Sequence, residues 1–172
     1  MPGRTASERG CLRQQPAELS GVTVGLRPIA PDLPHRHNPA SVHHEVVESG
    51  ADYPVSKAVQ EALGNWIFVA EAPSPEQVAS LRSAFHLDVG ESEAILVAET
   101  LGNTPVLMDE RRGVQCARSR GVVVIRTPLI YANAKILGLI GRVQGKLDEL
   151  RSHGFRLADR NYDQILRDLG EL

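Results

Sequence analysis

Cysteine is scarce in this 172-residue chain: Cys11 and Cys116 are the two present, far apart and with no ligand-type neighbour. A disulfide framework and a cysteine-based metal cluster are therefore not expected, and a reducing cytoplasm is the default compartment. Long apolar runs are also lacking. No stretch approaches the roughly 18 residues that a membrane span requires, and the N-terminus has no apolar signal-peptide core, so neither membrane insertion nor secretion is expected. Charge of one sign is missing too, with 19 basic and 21 acidic residues giving a net charge of −2. The chain as a whole is not a polycation, so any contact with nucleic acid must come from a local basic patch. What remains is an apolar fraction of 42%, enough for one soluble domain with a real core.

Aromatics and lysine are absent where the chain begins. Residues 1–40 carry six prolines and five arginines but no lysine, and the first aromatic residue is Tyr53. Such a segment has little to bury against its ordering entropy. Residues 1–37 read as largely irregular, with one short strand conceivable in Ser20–Ala30. Residues 38–172 read as the folded domain.

From Asn38 the punctuation becomes regular. PASVHHEVVESG reads as a short helix ending at Gly50, and PVSKAVQEALG as a second, with Val55, Ala58, Val59 and Leu63 on one stripe. Trp66–Ala70 is a β-branched and aromatic run, hence a strand. Ser74, Pro75 and Gln77 supply an N-cap, a proline in the first turn and a capping-box position, so a helix should run to about Phe85. The next helix, in LDVGESEAILVAETLG, should bury Ala94, Val97, Ala98 and Leu101. PVLMD reads as a strand, ERRGVQCARSRG as a helix closing on Gly121, and Val122–Ile125 as a strand buried on both faces. A helix entered near Pro128 and two amphipathic helices complete the chain. Alternating helices and short apolar strands predict an α/β fold with a parallel sheet.

Acidic residues stand where these apolar runs stop. Asp109 directly follows PVLM, at the carboxyl end of a strand, where open parallel sheets gather ligands. Position alone favours a solvated acid there. Glu91 and Glu93 open a helix, where acids are stabilised by the macrodipole without further purpose. Two positions apart on a helix is about 200° around the axis, so at most one of this pair can point into a small site. Glu45 stands alone on its helix. His35, His37, His43 and His44 suggest zinc, but neighbouring side chains diverge on a helix and no cysteine helps. Arg111, Arg112, Arg118 and Arg120 follow Asp109, either as a solvated face or as phosphate contacts. No P-loop and no nucleophile elbow is present.

Taken in order, LDVGESEAI, VLMDERRGV, AKILGLI and LDELRSHGFRLADRNYDQILRDLGE resemble a bacterial and archaeal branch of PIN-domain proteins, described as a domain of unknown function and predicted to bind nucleic acid. The likeness covers about residues 38–171. It implies a three-layer α/β/α fold with a short parallel sheet, and a ribonuclease chemistry dependent on Mg2+ or Mn2+. By motif match Glu45, Glu93 and Asp109 correspond to catalytic, metal-holding acids, with Glu91 a further acid of the metal-site pattern; Arg112 matches an arginine position loosely, Val114 standing where the branch has Arg, and Arg111, Arg112 and Arg118 are the candidate nucleic-acid contacts. Hard dications prefer several carboxylate oxygens together, which such a set would provide. The implied partners are RNA, a cognate antitoxin protein and a second copy of the chain.

One departure matters. Relatives open with an apolar strand bearing an aspartate, and nothing here matches it; Asp32 has no strand before it. The first strand is thus expected to be missing or replaced, with residues 1–37 translated out of the ancestral frame or from a misplaced start. Two functions stay open: a metal-dependent ribonuclease, its activity impaired, or a non-catalytic module that binds RNA or an antitoxin.

Overall fold

The computed structural model describes residues 36–49, 54–65 and 67–172. Strand β1 (Arg36–Asn38) leads into α1 (Ala40–His43), which continues as a π-helical stretch over His44–Ser49. Then come α2 (Pro54–Ala62), β2 (Ile67–Val69), α3 (Pro75–Phe85), α4 (Val89–Thr100), β3 (Val106–Leu107), α5 (Arg111–Ser119), β4 (Val124–Ile125), α6 (Thr127–Ile136), α7 (Gln144–Ser152) and α8 (Asp159–Asp168). This is a helix-rich α/β architecture. The suggested strand at Ser20–Ala30, the stop at Gly50 and the strand start at Trp66 lie outside the described residues.

The expected parallel sheet is present as two pieces. β1 pairs in parallel with β2, and β3 with β4, the latter with Val106 opposite Val124 and Leu107 opposite Ile125. Among the described residues no strand joins the two pairs. The strand at Arg36–Asn38 falls where the sequence reads as irregular. Its polar side chains hide it, because its pairing is made by the backbone rather than by an apolar face.

Capping sets the helix boundaries. The Ser74 hydroxyl accepts from the Gln77 N–H at 3.3 Å and starts α3, as its sequence predicts. α3 ends on His86 in the left-handed region, φ 54°, a turn made without glycine. Asp88 then caps α4, accepting from the Glu91 N–H at 2.7 Å while Glu91 accepts from the Asp88 N–H at 3.1 Å. A reciprocal cap of this kind contributes about 1 kcal/mol.

Among the described residues two apolar clusters pack the elements from α3 onward. The first packs α3, α4, α5 and β3 around Leu81, Ile95, Val106, Val114 and Ala117. The second joins α6, α7 and α8 through Ala132, Val143, Leu147, Ile165 and Leu166. Several burial expectations need correction. Leu101 is exposed, because it stands at the C-cap of α4 where the chain turns into Gly102. Val123 is 51% exposed while Val122 is buried, so the β4 segment has one inner face and one outer face. On α2 the buried positions are Ser56 and Ala62 rather than Ala58, which is exposed. Ser56 is accommodated by its hydroxyl bond to the Val47 carbonyl. Among the described residues no helix is long and apolar enough to cross a membrane.

Candidate nucleic-acid interface and the acids beside it

Asp109 follows β3, and parallel pairing places it beside the start of α6, which follows β4. Its Oδ1 accepts the Thr127 N–H at 3.0 Å and its Oδ2 accepts the Thr127 hydroxyl. Arg126 donates from Nη2 to the Asp109 carbonyl at 3.0 Å, with its Nε 3.5 Å from Oδ1. Thr127 is the first residue of α6, so the carboxylate satisfies one of the N–H groups that every helix start leaves open. The acid at the strand end thus already joins β3 to α6.

Glu93 does comparable work on the other side of α4. Its Oε2 accepts the Ser41 N–H at 2.9 Å, holding the first turn of α1 against α4. Gly90 permits this approach: a Cβ there would stand 3.0 Å from Val42 Cγ2. Glu91 faces away from Glu93, as helical geometry requires. One of its oxygens closes the cap on Asp88, and the other is buried without a partner, close to where Gly113 of α5 lacks a side chain. Burial pushes the Glu91 carboxyl above its ordinary range, against the lowering effect of the Asp88 N–H bond. Glu45 lies exposed on the π-helical stretch and takes no partner among the described residues.

Carboxylate oxygens are the donors a hard dication selects. Yet among the described residues no group of three or more His, Cys, Asp or Glu side chains stands close enough to hold a metal ion. Glu93, Asp109 and Glu91 each accept a hydrogen bond from the protein. Among the described residues these acids are thus not gathered into one group.

The arginines that follow Asp109 are arranged differently. α5 turns Gly113, Val114, Cys116 and Ala117 inward and leaves Arg111, Arg112, Gln115 and Arg118 exposed. Arg111 and Arg118 are seven residues apart, hence within about 20° of one another around the axis and about 10 Å apart along it. Neither makes a hydrogen bond or ion pair with the described residues. Arg112, on the flank of this face, acts electrostatically on Glu91. Arg120 belongs elsewhere: it forms a two-point pair with Glu99 at 2.6 and 2.8 Å, fastening α5 to α4.

Arg126 and Thr127 carry the interactions at the strand ends, and the sequence reading passes over both. A usable signal existed in the pairing of PVLMD with VVIRT: strands in parallel register bring the residues that follow each of them to one end of the sheet.

These features define a helix-rich α/β protein with short parallel strands, an acid after the end of β3 and an exposed arginine face on the helix that follows it. A family described as a PIN domain matches residues 35–171, and the chain belongs to that family. Membership groups it with nuclease-like proteins that bind nucleic acid, in which divalent metals are generally used. No curated protein and no solved structure matches the chain.

Proposed function

We propose that this chain is a nucleic-acid-binding PIN protein that takes single-stranded RNA on the exposed face of α5. The observation that carries this reading is the pair Arg111 and Arg118, two exposed guanidinium groups, unpaired among the described residues, on one face of the helix that begins just after β3. Arginine suits phosphate because its planar fork offers two parallel N–H donors. Arg112 stands exposed on the flank of this face. Since the net charge is −2, attraction has to be local, and backbone phosphates rather than bases supply it. Fluorescence anisotropy with a labelled single-stranded RNA tests this. Replacing Arg111 and Arg118 together by alanine should weaken binding at least tenfold, whereas equal affinity would remove these residues from the account.

A second reading is a ribonuclease dependent on Mg2+ or Mn2+, acting as the toxin partner of an antitoxin protein. The position of Asp109 favours it, because ligands of parallel sheets collect at the carboxyl ends of strands. The engagement of Asp109, Glu93 and Glu91 by protein donors favours binding without cleavage.

A further inference from the structure

Asp109 is neutralised in place, and the group that neutralises it is a side chain. Its Oδ1 lies between the Thr127 N–H and the Arg126 Nε, its Oδ2 takes the Thr127 hydroxyl, and its carbonyl takes Arg126 Nη2. The guanidinium is further placed by Phe155, whose ring centroid is 6.0 Å from Arg126 Cζ. Arg126 Nε is buried and makes no hydrogen bond, and the 3.5 Å separation from Oδ1 is too long for one. Charge, more than donor geometry, holds this contact.

A hard dication at this strand end would need the Asp109 oxygens, where Thr127 takes one lone pair on each and the fixed positive charge of Arg126, 3.5 Å from Oδ1, opposes a second cation. Guanidinium and dication are thus alternative ways to balance one half-buried carboxylate. We propose that Arg126 is the fixed counter-cation of Asp109: it joins β3 to α6 and keeps divalent ions off this acid for as long as it is present. Removing the guanidinium leaves a carboxylate with an uncompensated charge, and that carboxylate becomes a weak cation site completed by water and the Thr127 hydroxyl.

The test uses the full chain and requires no RNA, so its outcome is separate from that of the binding proposal. Melting temperatures of wild type, R126A, R126Q and the double variant D109N/R126A are compared with and without Mn2+ at about 10 mM, sodium chloride being adjusted to equal ionic strength. Bound Mn2+ is followed in parallel by electron paramagnetic resonance. The wild type should show no Mn2+-specific rise in Tm. R126A should melt about 3–6 °C lower and recover part of that loss with Mn2+. The recovery should disappear in D109N/R126A. R126Q keeps side-chain length and polarity, and serves if R126A does not fold. Wild-type protein stabilised by Mn2+ as strongly as the variants would overturn the assignment. So would variants that remain indifferent to the ion.

Discussion

Replacing Glu171 by glutamine should destabilise the fold by about 2 kcal/mol at neutral pH. The carboxylate is only 4% exposed, and it receives the Lys135 ammonium at 2.6 Å, the Val143 N–H at 2.7 Å and the Gln144 N–H at 2.9 Å. Burial alone would raise its pKa. The Lys135 bond and the two N–H groups at the start of α7 outweigh burial and bring it down to about 2. Each unit of lowering corresponds to about 1.4 kcal/mol, which sets a ceiling of about 3 kcal/mol. Glutamine retains one acceptor oxygen, so the expected loss is nearer 2. For a domain of this size that is a fall in Tm of about 4–8 °C. The pH dependence has a fixed sign. A depressed carboxyl contributes fully above its unfolded pKa and loses the contribution as pH falls through the folded value. The gap between wild type and E171Q should therefore be constant above about pH 4.5 and narrow steadily toward pH 2. Thermal melts followed by circular dichroism from pH 7 to 3 measure it. A gap under about 1 °C at pH 7, or one that stays unchanged down to pH 3, would refute the reasoning.

Two further perturbations probe other parts of the molecule. Alanine ordinarily improves a helix over glycine by about 1 kcal/mol, yet G113A should lose about 1–2 kcal/mol in urea denaturation, because its Cβ would press on Met108 Sδ and stand 2.7 Å from the buried Glu91 Oε1; a variant as stable as wild type would show that α4 and α5 separate easily there. If the chain cleaves RNA with Mg2+ or Mn2+, cleavage should vanish with EDTA and in D109N, and cutting that survives both would place the chemistry away from Asp109.

Local signals were legible in the sequence and non-local ones were not. Ser74 and Pro75 announce the start of α3 because an N-cap and a first-turn proline act within a few residues. Gly121, at φ 77°, closes α5 as its position in the sequence implies, since few other residues adopt that conformation cheaply. The π-helical stretch at His44–Ser49 has no comparable marker. Pairing partners are a different matter. Whether VLM and VVVI join the same sheet as WIFVA depends on contacts that no short window contains, and among the described residues the strands form two separate pairs. The clasp of Glu171 on Lys135 spans 36 positions and leaves no periodic trace. At the candidate site, the motif likeness identified Asp109, Glu93 and Glu91 as residues of interest. It could not reveal that each already serves the fold as a hydrogen-bond acceptor. Arg126 escaped notice because its role exists only once β3 and β4 lie side by side.

The salt dependence of RNA binding tests the central claim most directly. Each phosphate neutralised on a single strand contributes about 0.7 to the slope of log K against log salt concentration. Two arginines acting on phosphates predict that the slope for R111A/R118A is shallower than that of the wild type by about 1.4. Parallel slopes for the two proteins would contradict an RNA-binding face on α5.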